Sequence, residues 1–275
     1  MFIDLSLNPA KTAVEIVRFI KNTVHNAGFS RVVVGLSGGI DSVVTTTLAV
    51  KTLGSSNVYV GLFPYGELNK QAVEDAKLII GQLGIPPSNV ALIDIKPLVD
   101  VIYSSSEARS SRPASPAGRQ ARTINIGSLR NGNIMVRVRM ILLYDLSKRF
   151  KALVLGTENK TEHLLGYFTR FGDEASDIEP IRHLYKTQLK QLAIYLDIPE
   201  KIIKKPPTAG MWQGQTDEGE FGFTYEEADK ILYLYADLRK KREEIEKMGF
   251  KKEIVEKVIS RVEKNKFKHK LPHSI

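Results

Sequence analysis

The chain predicts a doubly wound parallel α/β sheet with a helical C-terminal extension. Three observations carry that prediction. Short β-branched runs alternate with helical patterns, the mark of strand–helix–strand units. One run, Val32–Val34, passes into a glycine turn, Ser37-Gly38-Gly39, and leaves on the helical pattern Val43–Leu53. From Tyr225 on, the chain shows only helical patterns with mixed-sign faces.

Taken in order, Pro9–Asn26 reads as a helix, because Val14, Val17, Ile20 and Val24 form one apolar stripe. Gly28 ends it. Val32–Val34 is the central buried strand, and Val58–Phe63 is the second. Asn69 is placed as the N-cap of a helix to Leu83, closed by Gly84 and Pro86. Val90–Ile95 is a third strand, followed by a helix carrying Leu98, Val99 and Ile102. Ser104–Asn133 is rich in Ser, Arg, Pro and Gly and predicts a long loop, either a surface excursion or a basic flap over an anionic ligand. Helix returns over Asn133–Phe150, then a short strand over Ala152–Leu155. Gly166–Asp177 is too irregular for a core element. Tyr185–Leu196 is a helix, and Lys205–Phe223 is a second long loop holding the only tryptophan, Trp212. Helices over Tyr225–Ala236, Arg239–Met248 and Lys251–Asn265 precede a basic tail, Lys266–Lys270. With no repeats and no linker composition, residues 1–275 read as a single domain.

A strand, a glycine turn and a helix start in that order make an anion site, with backbone N–H groups and the helix dipole aimed into the turn. Gly38 and Gly39 let backbone approach phosphate oxygens, and Ser37 and Ser42 can add hydroxyl donors. Asp41 would repel a phosphate unless a cation lies between them, and Mg²⁺ takes both kinds of oxygen. Glu162, beyond the fourth strand, is a second carboxylate that could meet that metal. It reads equally as a helix-start Glu favoured by the dipole. Lys186 opposes the dipole preference at its helix start, so an anionic partner is expected. The tail of the second strand, Phe63-Pro64-Tyr65, is expected beside the turn, since ligands of such sheets bind beyond the strands' carboxyl ends. Arg137 and Arg139 lie two apart and point in different directions, so at most one is expected to reach a shared ligand.

Composition sets the bounds. With 43% hydrophobic and 26% charged residues, the chain is that of a soluble globular protein, and no apolar run approaches a membrane span. The N-terminus lacks the pattern of a signal peptide, so cytoplasm is the expected compartment. The absence of cysteine excludes disulfides, thiolate metal sites and a cysteine nucleophile. Forty basic against 31 acidic residues give +9, which suits a polyanionic ligand, although many of these charges sit on solvated helix faces.

Ser37–Ser42 (SGGIDS) resembles the pyrophosphate loop of the ATP pyrophosphatases, which cleave ATP between the α- and β-phosphates and adenylate a substrate. It is not a Walker A loop, because no Gly-Lys-Ser/Thr follows. GTENKTE (156–162), GYFTRFGD (166–173), LYKT (184–187), PTA (207–209), GQTDE (214–218) and KHK (268–270) follow in an order that resembles the NAD synthetase family. Gly132-Asn133 with Arg137 and Met140 fits as well.

That resemblance implies a Rossmann-like, adenine-nucleotide α-hydrolase-type fold and amidation of deamido-NAD to NAD with ATP, Mg²⁺ and ammonia. It implies a deamido-NAD adenylate, release of AMP and pyrophosphate, and a homodimer. No glutaminase domain is expected. Gly35, Leu36, Ser37, Gly38, Gly39, Ile40, Asp41 and Ser42 would wrap ATP, with Thr157, Lys186 and Thr208 adding contacts. Asp41 and Glu162 would hold Mg²⁺. Arg137, Arg170, Asp177, His269 and Lys270 would contact deamido-NAD, and family matching selects Arg137 over Arg139. Arg170 stands where the family usually has Lys. Gly172–Asp177 (GDEASD) replaces the family's Gly-Asp-Gly-Gly-Ala-Asp, losing two glycines. Asp173 is placed as the carboxylate that binds and deprotonates ammonium, with Lys186 stabilising the departing pyrophosphate. The loops 104–133 and 205–223 are the expected lids. The rival reading is a tRNA-modifying adenylase with the same loop. No cysteine is present for sulfur transfer and no RNA-binding module is evident, so nucleic acid is not the expected partner.

Overall fold

The computed structural model describes residues 3–107 and 126–270. Its elements are α1 (Pro9–Asn26), β1 (Val32–Gly35), α2 (Ile40–Leu53), β2 (Val58–Leu62), α3 (Lys70–Gln82), β3 (Val90–Leu92) and α4 (Lys96–Glu107). They continue as α5 (Ile126–Phe150), β4 (Leu153–Leu155), α6 (Lys160–Leu165), α7 (Lys186–Tyr195) and α8 (Glu200–Ile203). The chain finishes with α9 (Asp217–Phe221), α10 (Tyr225–Leu232), α11 (Arg242–Glu246) and α12 (Lys252–Asn265).

All strand pairs are parallel, in the order β3-β2-β1-β4. Val32 of β1 faces Val58 on one side and Leu153 on the other. Successive strand residues serve opposite faces, as the strand period requires. Val32 and Val34 join a core with α1, α2, α3 and α7, while Val33 joins a second core with α4 and α5. The chain builds outward from β1 through β2 to β3, then returns to β1's other side as β4. The turn after β1 therefore lies where the strand order reverses, the place at which open parallel sheets bind ligands.

The helical extension is a third core. Tyr225, Ile231, Leu232, Val255 and Ile259 pack with Leu165 of α6 and Tyr185 at the entrance to α7. Its helices thereby hold α6 and the start of α7 at the carboxyl end of β4.

Several expected boundaries change. The segment 104–133 is not loop throughout, since α4 runs to Glu107 and α5 begins at Ile126. Ser104 Oγ donates to the Asp100 carbonyl one turn back, and the remainder of that segment, 108–125, lies outside the described residues. β3 ends at Leu92, yet the chain stays beside β2: Ile93 N donates to the Leu62 carbonyl at 2.9 Å and Ile95 N to that of Pro64 at 2.9 Å. Asn69 precedes α3 without capping it by its side chain. Its amide instead accepts from Tyr65 N at 3.0 Å and donates to the Gly210 carbonyl at 3.0 Å. The helix expected over Arg239–Met248 is regular only over Arg242–Glu246, and Tyr233–Asp237 is a π turn.

Candidate active site

The turn after β1 is braced by a closed ring of hydrogen bonds. Gly39 N donates to Ser37 Oγ (3.3 Å), the two hydroxyls of Ser37 and Ser42 bond each other (3.1 Å), and Ser42 Oγ donates to the Gly39 carbonyl (3.0 Å). The hydroxyls expected to meet phosphate are thus spent on the turn itself. The amides at the start of α2, where no side chain caps the helix, are the donors left that could meet an anion. The two glycines differ. Gly38 has φ +72°, and a Cβ there would drive into the Ala72 carbonyl of α3. At Gly39 a Cβ would meet only Ser37 Oγ, at 3.4 Å, so its open side faces the cleft.

This turn lines one side of a cleft of about 530 Å³, within the usual size of small-molecule sites. Its floor is the strands' carboxyl ends, Gly35, Leu62 and Leu155. One wall is the α5 face carrying Val136, Arg139, Met140 and Leu143. The other is the segment 205–217 with Thr208 and Trp212.

Lys186 is 2% exposed, and its ammonium sits between two carboxylates: 2.6 Å from Asp41 Oδ2 and 3.0 Å from Glu162 Oε1. The expected anionic partner of Lys186 is therefore a pair. Burial disfavours its charged form, but the two carboxylates override that and raise its pKa. Burial also pushes the Glu162 carboxyl up to about 8, against the pull of the Lys186 ammonium and with the push of Asp41. One buried cation thus serves two half-buried carboxylates. Asn159 ties the arrangement together: its Nδ2 donates to Asp41 Oδ1 (2.8 Å), and its Oδ1 accepts from Glu162 N at the start of α6 (3.0 Å). The Tyr225 hydroxyl lies 2.9 Å from Asp217 Oδ2 and 3.2 Å from Glu162 Oε1.

Asp41 and Glu162 converge on one point and are short of positive charge, so the pair fits a hard divalent cation. Among the described residues no three His, Cys, Asp or Glu are placed to hold a metal by themselves. A cation here would need oxygens from a ligand to complete its shell.

The expected nucleotide set is brought together. Gly35, Leu36, Ser37 and Gly39–Ser42 line the cleft with Thr157, Thr208, Glu162 and Lys186. Gly38 alone turns away, against α3. Phe63 and Pro64 reach the cleft. Tyr65 does not, because its hydroxyl donates to Asp100 Oδ1 at 2.5 Å. Asp173 lines the cleft and accepts from Thr169 N at 2.7 Å, and burial raises its carboxyl to about 6.

The expected dinucleotide set is not gathered in this cleft. Arg137 is exposed and donates to the Arg170 carbonyl at 3.0 Å, while Arg170 donates to that of Lys270. His269 stacks edge-on against His163, with ring centroids 4.4 Å apart. His269 Nδ1 and Arg170 Nε are buried without a hydrogen-bond partner. Asp177 lies elsewhere: its carboxylate accepts from Val154 N at 2.7 Å and borders a second, open cavity with Phe29, Arg31 and Tyr144.

Sequence reasoning missed Asn159, Asp217 and Tyr225, whose roles depend on contacts across 50 residues or more of chain. It also passed over Arg139, which did leave a signal. Val136, Arg139, Met140 and Leu143 recur at helical spacing, and a lone cation in an otherwise apolar stripe is an anomaly.

Comparison with known proteins matches this geometry. Residues 12–272 match the family described as NAD synthase. The NH(3)-dependent NAD(+) synthetase of Chlorobaculum tepidum is 41% identical over 94% of this chain and 86% of its own length. Among solved structures, the NMN synthetase of Francisella tularensis superposes with a TM-score of 0.82 at 31% identity, covering 98% of this chain and 99% of that one. The NH3-dependent NAD synthetase of Campylobacter jejuni, in complex with nitrate, gives a TM-score of 0.77 at 31% identity, covering 98% and 100%. Shared from the glycine turn to the basic tail, these likenesses place the chain in the NAD synthase family.

Proposed function

We propose that the protein amidates deamido-NAD to NAD with ATP and ammonia in the cytoplasm, as one catalytic unit spanning the chain. The observation that carries this is the buried Lys186 clasped by Asp41 and Glu162, set against an uncapped helix start at the switch point of the sheet. The resemblance of the chain to ammonia-dependent synthetases at about 40% identity supports the substrate and the nitrogen source.

The chemistry follows from the poor leaving ability of a carboxylate oxygen. One oxygen of the nicotinate carboxylate attacks the α-phosphorus of ATP, forming a P–O bond as the α–β bridge breaks and pyrophosphate departs. The α2 amides and Lys186 bind the anionic oxygens as charge moves to the leaving group. Asp41 and Glu162 would hold Mg²⁺, which supplies charge neutralisation at the phosphates when bound. Ammonia then attacks the carbonyl carbon, the C–O bond to the phosphate breaks and AMP leaves. Asp173 binds ammonium and accepts its proton. The 205–217 segment shields the mixed anhydride from water.

The protein is also proposed to be a homodimer. Leu98 and Val101 of α4 and Leu129 and Ile141 of α5 are large, apolar and exposed, which suits burial against a second copy. Among the described residues no helix is long and apolar enough to cross a membrane.

The test is an assay of NAD, AMP and pyrophosphate together, with ammonium or glutamine as nitrogen source. Equal yields of all three with ammonium, and none with glutamine alone, support the proposal. A parallel arm replaces deamido-NAD by nicotinic acid mononucleotide, because the Francisella tularensis neighbour is an NMN synthetase. Preference for the mononucleotide would overturn the dinucleotide assignment, and tRNA binding without ATP cleavage would overturn the reaction class.

A further inference from the structure

We propose that Arg139 is a substrate-binding residue of the cleft, whose guanidinium receives a phosphate oxygen of a bound nucleotide. The proposal rests on the cleft being the nucleotide site. It reverses the expectation that Arg137 is the arginine of this helix that meets substrate.

The two arginines are separated by the helix itself. Arg137 points outward and its guanidinium already binds the Arg170 carbonyl. Arg139 lies on the face with Val136, Met140 and Leu143, and so is carried into the cleft wall. It is positioned by two residues of the segment that follows β2. Its Nε donates to the Phe63 carbonyl at 3.1 Å, and one terminal nitrogen reaches Asn69 Oδ1 at 3.4 Å. These bonds fix the plane of the guanidinium and leave further N–H donors in its fork.

What the site lacks is an anion. Among the described residues no carboxylate lies within ion-pair distance of Arg139, whereas Lys186 a short way along the cleft has two. The nearest acidic influence is Asp173, acting at a distance, and burial is the larger effect on the guanidinium. Arg139 is half-buried in the cleft wall, and a partly desolvated arginine without a carboxylate is stabilised by a ligand that supplies the countercharge. Phosphate suits the planar fork, and both substrates proposed for this cleft carry it. The other reading is that Arg139 only pins Phe63 and Asn69 together. That role needs hydrogen bonds alone, and a neutral side chain would meet it without the cost of burying charge.

The test is calorimetric titration of wild type, Arg139→Gln and Arg139→Lys with three ligands in turn: α,β-methylene-ATP, deamido-NAD and adenosine. Arg139→Gln should weaken at least one phosphate-bearing ligand by about tenfold or more, with adenosine within about twofold of wild type. Loss confined to α,β-methylene-ATP assigns the contact to the triphosphate. Loss confined to deamido-NAD assigns it to the dinucleotide. Arg139→Lys, which keeps the charge without the fork, should weaken the same ligand severalfold, and it serves alone if the Gln variant does not fold. Equal weakening of adenosine, or unchanged affinity for both phosphate ligands, would overturn the proposal. Wild-type protein that binds neither phosphate ligand would overturn the nucleotide reading of the cleft itself, a separate and recognisable failure.

Discussion

The turn after β1 and the turn at 166–177 flank one cleft but are held by opposite means. The first is self-contained: Ser37, Gly39 and Ser42 close their own ring of hydrogen bonds within six residues. The second borrows its order from far away. Lys268 Nζ donates to the carbonyls of Gly166 and Phe168 at 2.7 and 2.8 Å, and Asn265 donates to that of Leu165 at 2.9 Å. Thr169 Oγ1 donates to Asn133 of α5 at 2.9 Å. A phosphate cradle can be local because backbone amides recognise any phosphate. The far turn, by contrast, is assembled from side chains of α5 and the C-terminal tail, as a site that discriminates between acceptors would be.

The comparison is broken most severely at Lys186. Lys186→Met leaves Asp41 and Glu162 half-buried without their cation, a loss of about 3 kcal/mol in stability. Pyrophosphate release should fall by about a thousandfold or more in whatever protein remains folded. Thermal melting and a pyrophosphate assay check both, and a variant that melts and turns over as wild type would remove the cluster from its role.

A smaller effect separates the two glycines. Gly38→Ala places a side chain at positive φ against the Ala72 carbonyl and should cost more than about 1 kcal/mol. Gly39→Ala should leave the melting temperature nearly unchanged while raising KM for ATP, because its open side faces the ligand. Denaturant unfolding with steady-state kinetics reads both. Equal losses of stability would contradict the division of labour.

At the far turn, Asp173 separates activity from stability. Its carboxyl is raised to about 6 by burial, so the folded state favours the protonated form. Stability present below about pH 4 is lost as pH rises through about 6, while the charge that binds ammonium is gained over the same window. Asp173→Asn should raise stability only slightly above that window, because the carboxyl is exposed to solvent along the cleft, and lower amidation more than adenylation. It should also abolish the acidic limb of the rate profile near pH 6. An unchanged pH–rate profile would take Asp173 out of the ammonia step.

The least effect is expected at Lys205→Ala. Lys205 tethers the 205–217 segment to Asp75 of α3 at 2.8 Å, but Lys201 also holds Asp75, at 3.1 Å. The loss should stay near 1 kcal/mol, with faster proteolytic cleavage of the segment in the absence of ligand. Unaltered cleavage would show that the tether does not set this mobility.

The same contrast explains what could be read from the sequence. The β1 turn and the strand–helix alternation were legible because their contacts are short-range, and Asp41 because a carboxylate inside a glycine-rich anion turn is an anomaly in the local sequence. Lys186 was legible in part: a cation opposing a helix dipole announces a need for anions, without saying which. The far side was not. Asp177 was expected with the dinucleotide residues, and its place outside the cleft, with one carboxylate oxygen accepting from Val154 N, is set by how the turn returns to β4. The start of α5 was hidden because Gly127, Gly132 and Asn133 interrupt its pattern, although Met135 and Val138 bury it. Arg139 was weighed beside Arg137: a spacing of two shows that the pair points apart, without saying which of them turns toward the cleft.

The central claim is that the nicotinate carboxylate is activated by adenylation. The most direct measurement is to run the reaction with deamido-NAD carrying heavy oxygen in that carboxylate and to weigh the products. The mechanism predicts one labelled oxygen in the phosphate of AMP and none in pyrophosphate. AMP without label, or label in free phosphate with ADP as the other product, would contradict it.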